Sequence, residues 1–557
     1  MIAEKQKKLA QTAVDNPGYR FSNLYDLLHW RPWIEEAAHK VLSREGSDTA
    51  GVDGKTRQHF MQAFEQNVEK LRMELRRGTF EPKPTRRAYI PKGIKGKRPL
   101  GILTLNDRIV QEAMRMMLDP IFESDFHHDS YGFRKRRRTM DAVAPTRTLC
   151  NTRSKYYIVI EGDIKGYFDN IHQRKLMTFI KKRVADKKLL GLIWKFLKAG
   201  VMEGELFKKT DEGVPQGGII SPLFANIYLN EFDWWCDERW NLSRPQQRTR
   251  RNRGEGNFRM LRFADDFIVL SNGGMAQART AKQEIKEFLW NKLRIELSEE
   301  KTRITHINDG FDFLGFHVRR VKNHENRWVI HLRPSEENKR KVKRRLKELT
   351  TRKWFWMDEY TRLNTLNSVV RGWSNYYQHT TLITDIEDIA YFAHMRYQYW
   401  LFKKHNRKIS KRQLNRTRTA TYLNRSRWFA TLEVDGKKKT VYQWKPTRAE
   451  YKRSVYIHRS EEQIGHPYLD LTGEDYPQWD GSPPIKEIRI LPSKGRPFEM
   501  IERKAQAKLR DNYTCQACGE RLGDLEVHHI RGKKDHQLES LTTLCKACHK
   551  SITWARD

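Results

Sequence analysis

The stretch Arg262-Phe263-Ala264-Asp265-Asp266-Phe267-Ile268-Val269-Leu270 sets two adjacent acids between two short apolar runs. It reads as a β-hairpin whose strands are 261–264 and 267–270, with both carboxylates in the turn. Taken alone, an Asp-Asp pair is more often a plain solvated turn. Fixed on a core, the two charges repel each other and require cations. Earlier in the chain, Tyr156-Tyr157-Ile158-Val159-Ile160-Glu161-Gly162-Asp163 is another β-branched and aromatic run that ends in an acid. If these strands lie side by side, Asp163, Asp265 and Asp266 make a three-carboxylate site suited to two divalent ions and phosphoryl transfer.

Charge bounds the partners independently. The chain carries 107 Lys+Arg against 69 Asp+Glu, a net charge of +38 over 557 residues, far beyond what solubility alone requires. A polyanion is the natural counterpart. With 38% hydrophobic and 11% aromatic residues, wholesale disorder is excluded, and the length allows roughly three or four domains with real cores. No run is long enough to span a bilayer, and residues 1–8 lack a signal-peptide pattern. The expectation is a cytoplasmic protein without a membrane partner, a bacterial nucleoid or an organellar matrix being the other compartments open to it. Four of the six cysteines form two Cys-x-x-Cys pairs near the C-terminus, which points to zinc in a reducing setting rather than to disulfides.

Local pattern places the remaining elements. Residues 22–28 and 33–42 read as helices, 50–54 as a turn and 86–92 as a short strand; 93–102 reads as a basic, glycine-punctuated loop leading to a second strand. Asn106 is the expected cap of a helix that starts at 106. Between Trp240 and Phe258 a polar insertion with five arginines reads as a flexible loop. Ser335 should open a helix over 336–356 in which Val342, Leu346 and Leu349 repeat at helical spacing. The excess of Lys339, Arg340, Lys341, Lys343, Arg344, Arg345 and Lys347 over nearby acids favours an RNA-facing surface on that helix. From about 403 to 458 the composition turns to Arg, Lys, Thr and Tyr, with a hairpin turn at 434–437. Residues 467–497 read as a linker or a loop packed on its neighbours.

The Phe-Ala-Asp-Asp hairpin together with a separate acid-tipped strand resembles the palm of reverse transcriptases, with Phe263 in place of the commoner Tyr. Five further blocks follow in order: Asp129-Ser130-Tyr131-Gly132-Phe133-Arg134, Gly162-Asp163-Ile164-Lys165-Gly166-Tyr167-Phe168-Asp169-Asn170-Ile171, Gly213-Val214-Pro215-Gln216-Gly217-Gly218-Ile219-Ile220-Ser221-Pro222-Leu223, Leu297-Ser298-Glu299-Glu300-Lys301-Thr302 and Phe311-Asp312-Phe313-Leu314-Gly315-Phe316. Together with Val370-Arg371-Gly372-Trp373-Ser374-Asn375-Tyr376-Tyr377, which resembles the maturase thumb called domain X, they identify a resemblance to group II intron reverse transcriptase-maturases.

The resemblance implies roles residue by residue. Asp163, Asp265 and Asp266 would be catalytic ligands of two Mg²⁺ ions. Lys97 and Arg98 would hold the incoming dNTP triphosphate, Arg98 better for its forked donors. Phe168 would be the steric gate against a ribose 2′-hydroxyl, its alternative being a plain core aromatic. Asp169 resembles no metal ligand and reads as a cap or turn residue. Gln216 would line the nucleotide pocket, and Lys301 would assist pyrophosphate departure unless it is only a surface ion pair after Glu299-Glu300. Leu314 and Gly315 would form the primer grip. The aromatics at 373–377 read as core before base-stacking.

A second centre lies near the C-terminus. Cys515, Cys518, Cys545 and Cys548 have the spacing of a structural Zn²⁺ site, and they bracket Glu526-Val527-His528-His529-Ile530, with His549 following. The arrangement resembles a zinc-stapled ββα HNH nuclease. That implies His529 as the general base and His528 and His549 as ligands of a divalent ion at the scissile phosphate. The Asn that names the motif is not evident; Ser540 or Thr543 falls near its place.

The expected fold class is therefore a multidomain α+β protein. Fingers and palm occupy 1–325, a helical thumb (domain X) 326–405, a basic DNA-binding region and linker 406–498, and a zinc-containing HNH endonuclease domain 499–557. The implied function is an RNA-directed DNA polymerase that binds its intron RNA and promotes its splicing. It would then move the intron by target-primed reverse transcription after nicking double-stranded target DNA. A splicing-only RNA-binding cofactor and a reverse transcriptase turned to host defence are the alternatives; intact acids and histidines disfavour the first, and the thumb and HNH signatures the second.

Overall fold

The computed structural model describes residues 1–92, 96–203, 206–208, 212–405, 410–422, 425–434, 437–446, 464–469, 525–529 and 541–545. The chain forms two compact units, Met1–Gly54 with Val68–Ile488, and Lys55–Asn67 with Arg489–Asp557. Among the described residues no helix is long and apolar enough to cross a membrane.

In the first unit the strands run β1 (Thr85–Lys92), β2 (Gly96–Ile102), β3 (Ile158–Gly162), β4 (Val201–Glu203), β5 (Leu206–Lys208), β6 (Phe258–Phe263), β7 (Asp266–Ser271), β8 (Arg303–His306), β9 (Phe311–Phe313), β10 (Phe316–Lys322) and β11 (Trp328–Pro334). The central sheet has the order β6-β7-β3-β8, antiparallel throughout. Its two middle strands, β3 and β7, are near-continuous apolar runs and are buried along most of their length, whereas the edge strand β8 is polar and partly exposed. Phe267 packs edge-on to Phe232 of the helix Ser221–Trp240, with ring centroids 5.1 Å apart. On the opposite face Val159, Leu261, Ile268 and Leu270 join a core with Tyr131, Met140 and Val143. Gly162 is required where β3 ends, since a Cβ there would lie 2.1 Å from the Phe267 ring.

The hairpin forms, with a shift of one residue in its turn. Phe263 pairs with Asp266, so Ala264 and Asp265 make the turn and Asp266 opens β7. Ala264 adopts φ +58°, a left-handed conformation that costs a non-glycine residue roughly 1–2 kcal/mol.

A second sheet, β2-β1-β4-β5, rises from the first elements. The expected loop through 93–102 is shorter than the sequence suggests: β2 already begins at Gly96 and pairs Lys97 with Pro91 and Arg98 with Ile90. The following helix starts at Leu105 and is capped by Thr104, whose Oγ1 accepts from the Asp107 amide 3.2 Å away. Asn106 is thus inside the helix, and the hydroxyl two residues earlier took the cap. Helix 22–28 shrinks to Tyr25–Leu28, whereas Arg31–Leu42 forms as expected. The arginine-rich insertion is not a loop but contains the helix Arg244–Asn252. Ser243 and Gln246 close a capping box at its start and Pro245 sits in its first turn, which is a start signal legible in the sequence.

The strands β9, β10 and β11 form the sheet that leads into the thumb. Ser335 caps the helix Glu336–Glu348, on which Val342, Leu346 and then Leu349 are buried. Its basic residues divide. Lys339 is largely buried and ties Asp385 at 2.7 Å together with Arg333, while Lys341 reaches Glu337 at 2.7 Å, so part of the row serves packing and pairing. Trp373 and Tyr377, on and just after the helix Glu359–Tyr376, are core residues. A further sheet of β12 (Thr419–Tyr422), β13 (Arg425–Val434) and β14 (Lys437–Tyr442) turns between Val434 and Lys437 and buries Trp428 and Ala430 in the same core as the thumb helices. The short stretch 464–469 docks through Tyr468, whose hydroxyl donates to Asp119 Oδ2 at 2.6 Å; the rest of 467–497 lies outside the described residues. In the second unit β15 (Leu525–His529) and β16 (Leu541–Cys545) pair antiparallel, His528 opposite Thr542 and His529 opposite Leu541.

Candidate active site

The register of the central sheet sets the acids. Gly162 of β3 pairs with Phe267 of β7, so Asp163 and Asp266 follow at adjacent strand ends, with Asp265 in the neighbouring turn. The block at 297–302 meets them: Ser298 donates its amide to the Asp163 carbonyl at 2.8 Å, and Lys301 Nζ lies 2.8 Å from Asp163 Oδ2. Glu299, the neighbour that was the other candidate partner of Lys301, instead binds Lys286 at 2.7 Å and Lys282 at 3.4 Å.

Asp266 is open to solvent yet set deep among surrounding atoms. Its carboxyl is pushed up to about 7, first by loss of solvation and then by the charges of Asp265 and Asp163, with Lys301 acting in the opposite sense. Three carboxylates at neighbouring positions offer the hard oxygen donors that could hold divalent cations.

A second group assembles beside the acids. Phe168 and Asp169 lie in the 3-10 turn Tyr167–Asn170, and the Phe168 carbonyl accepts from the Val214 amide at 2.8 Å. Gln216 Nε2 donates to Asp169 Oδ2 at 3.2 Å, so Asp169 bonds a side chain 47 positions on as well as forming part of its own turn. Gln216 O accepts from the Gly101 amide of β2 at 2.5 Å, and Gly217, at φ +106°, would place a Cβ 2.5 Å from the Gly101 carbonyl. The Pro-Gln-Gly-Gly turn is thereby seated on the strand that carries Lys97 and Arg98, whose side chains lie outside the described residues. Phe168 is half-buried, its ring 6.3 Å from that of Phe133, so it is not a plain core aromatic.

Leu314 and Gly315 form the tight β9–β10 connection, both at positive φ. The thumb holds this turn by its backbone. Tyr376 Oη donates to the Leu314 carbonyl at 2.9 Å, Tyr377 Oη to the Gly315 carbonyl at 3.1 Å and the Ser335 amide to the same carbonyl at 2.8 Å. A cleft of about 510 Å³ adjoins it, lined by Glu161, Arg303, Thr305, Asp312, His317 and Lys339 among others.

Among the described residues His127, His128 and Asp129 also lie close enough to bind a metal. Their groups are committed elsewhere, His127 to Asp237 at 2.9 Å and Asp129 to Arg259 at 2.6 Å. For the C-terminal centre, His528, His529 and Cys545 lie on the β15–β16 pair, whereas Cys515, Cys518, Cys548 and His549 lie outside the described residues.

An antiparallel sheet with acids on adjacent strand ends, faced by a glycine-rich turn and a helical thumb, defines a nucleic-acid polymerase of the reverse transcriptase class. Residues 85–318 match the reverse transcriptase (RNA-dependent DNA polymerase) family, and residues 339–418 the group II intron maturase-specific domain. Protein YkfC of Escherichia coli K12 is 40% identical over 343 residues, which are 58% of this chain and 90% of YkfC. The group II intron-encoded protein LtrA of Lactococcus lactis is 36% identical over 57% of this chain, and the match spans 59% of LtrA's length. A putative COX1/OXI3 intron 1 protein of Saccharomyces cerevisiae is 29% identical over 53% of this chain and 39% of its own. The chain belongs to the group II intron reverse transcriptase–maturase family.

Proposed function

We propose that this chain is an intron-encoded polymerase that copies RNA into DNA, binds its own intron RNA and promotes its splicing. It then drives intron mobility by priming synthesis from target DNA that its C-terminal segment has nicked. The observation that carries the polymerase reading is the convergence of Asp163 and Asp266 at adjacent strand ends with Asp265 in the neighbouring turn, where loss of solvation and then the neighbouring charges raise the Asp266 carboxyl.

That donor set fits Mg²⁺, and Asp163, Asp265 and Asp266 would hold two such ions, which when bound acidify a primer hydroxyl and neutralise the leaving phosphate. The chain's own groups do the rest. Gln216, bonded to Asp169, lines the dNTP pocket, and the half-buried Phe168 would be the gate against a ribose 2′-hydroxyl. Lys97 and Arg98 neutralise the triphosphate. Lys301, now bonded to Asp163, would turn its ammonium to the departing pyrophosphate. Leu314 and Gly315, clamped by Tyr376 and Tyr377, hold the primer end.

For 499–557 the support is the Cys and His spacing together with the antiparallel pair β15–β16, which suits the ββ half of an HNH fold. Cys515, Cys518, Cys545 and Cys548 would bind structural Zn²⁺, His528 and His549 the divalent ion at the cut phosphate, and His529 would activate water. Residues 406–498 would contact double-stranded target DNA through their basic and aromatic side chains.

The test is to purify the protein from its native host and sequence the RNA that accompanies it, alongside primer extension with the Asp265→Ala variant. A single structured intron or its lariat is expected, with extension abolished and RNA binding retained in the variant. A heterogeneous RNA pool would overturn the maturase reading, and extension by Asp265→Ala the assignment of the acids.

A further inference from the structure

Beneath the acid-bearing hairpin lies a charged residue that the polymerase reading leaves without a role. Arg262, the last residue but one of β6, is completely buried, and so is its partner Asp233 on the helix Ser221–Trp240. A guanidinium has five N–H donors in a rigid plane, and all five are used. Nε and Nη2 hold the two Asp233 oxygens at 2.6 and 2.5 Å. Nη2 also donates to Ser130 Oγ at 2.6 Å, and Nη1 to Asn226 Oδ1 at 3.2 Å. The fifth bond goes from Nη1 to the Ala264 carbonyl at 2.8 Å.

That last contact falls on the turn itself. The Ala264 carbonyl belongs to the peptide that carries the Asp265 nitrogen, so its direction sets the direction of Asp265. Ala264 sits at φ +58°, a conformation that an unclamped alanine would leave. The opposite side is closed by Gly132, where a Cβ would lie 2.3 Å from the Ala264 nitrogen. Asn226 ties the two sides together, donating to the Gly132 carbonyl at 2.8 Å while accepting from Arg262. The main chain of Arg262 is fixed as well, by the Asp129 carbonyl at 3.0 Å and the Tyr131 amide at 2.9 Å. Burial works against the guanidinium charge, but Asp233 more than offsets it, and Asp265 adds to the field that keeps it positive.

We propose that Arg262 is a positioning residue: anchored by Asp233, it clamps the Ala264–Asp265 peptide against Gly132 so that the acids stand in their cation-binding geometry before any cation arrives. The inference rests on the reading of Asp163, Asp265 and Asp266 as cation ligands. A preset site loses no binding energy to ordering, and a shift of about 1 Å at such a site costs function steeply.

The test reads cation binding directly, with Mn²⁺ alone as the probe, by electron paramagnetic resonance on the full-length protein, and thermal unfolding alongside. The palm signal is defined as the part of the wild-type signal lost in Asp265→Asn/Asp266→Asn. Arg262→Lys keeps the charge and loses the fork; it should weaken that Mn²⁺ binding by about tenfold. Ser130→Ala removes a bond on the far side of the same guanidinium, and should lower the melting temperature while leaving Mn²⁺ affinity within about twofold. Gly132→Ala alters no charge and pushes on Ala264 from the other side, so it should weaken Mn²⁺ as Arg262→Lys does. It decides the matter if Arg262→Lys does not fold. Unchanged Mn²⁺ affinity in Arg262→Lys, or in Gly132→Ala where the first is unfolded, would overturn the positioning role and leave the acids' role standing. A wild-type protein with no palm signal would instead overturn the reading of the acids, and this inference with it.

Discussion

Lys301 Nζ lies 2.8 Å from Asp163 Oδ2, although 138 positions separate the two residues. The ammonium is bonded to one of the three acids, and its side chain is more than half exposed. Replacing it with methionine keeps the stem and removes the charge. Lys301→Met should slow single-nucleotide addition by about a hundredfold at saturating Mg²⁺ and dNTP, with folding intact. A rate within about twofold of wild type would return Lys301 to the status of a surface ion pair.

The raised Asp266 carboxyl gives a pH dependence of definite sign. Its folded value, about 7, lies above the ordinary carboxylate range, so the cation-free folded protein binds the proton more tightly than the unfolded chain does. Its contribution to stability is full below about pH 4 and is lost as pH rises toward 7. Cations reverse this, because they bind the ionised form. The rise in melting temperature on adding Mg²⁺ should therefore be larger at pH 8 than at pH 6, and Asp266→Asn should flatten the difference. A pH-independent Mg²⁺ shift in the wild type counts against Asp266 as the titrating group.

Tyr376 and Tyr377 join thumb to palm through the carbonyls of Leu314 and Gly315. Both hydroxyls are held by neutral acceptors, and removing each should cost about 1 kcal/mol. The double variant Tyr376→Phe/Tyr377→Phe should unfold a few degrees earlier. It should also raise the KM for primer-template several-fold, with the KM for dNTP unchanged. An effect on dNTP alone would show that the turn does not serve the primer.

The C-terminal centre separates cleanly from the palm in a nicking assay. His529→Ala should abolish cutting of a double-stranded target while primer extension on a pre-nicked duplex continues at the wild-type rate. Undiminished nicking would remove His529 from the chemistry.

Some of the molecule was legible without coordinates because its signals are local. The β-hairpin at 258–271 follows from two apolar runs around a polar turn, and the Ser335 cap from a hydroxyl ahead of an amphipathic run. The helix Arg244–Asn252 was equally local, but its charge suggested a loop and masked the Ser243 and Gln246 box. Thr104 in place of Asn106 as cap reflects a choice between neighbouring polar residues that the packing of the helix start decides.

By itself, the sequence determined the family, the order of the blocks around Asp163, Asp265 and Asp266, and the large excess of positive charge, since each is written in residue identity and short-range pattern. Tertiary structure alone decided that Lys301 pairs with Asp163 and not Glu299, that Asp169 bonds Gln216, and that Arg262 meets Ser130, Asn226, Asp233 and Ala264 at once. These are directional bonds between segments far apart in the chain. Their geometry exists only after the sheet and its helices have packed, and no periodicity along the chain encodes it.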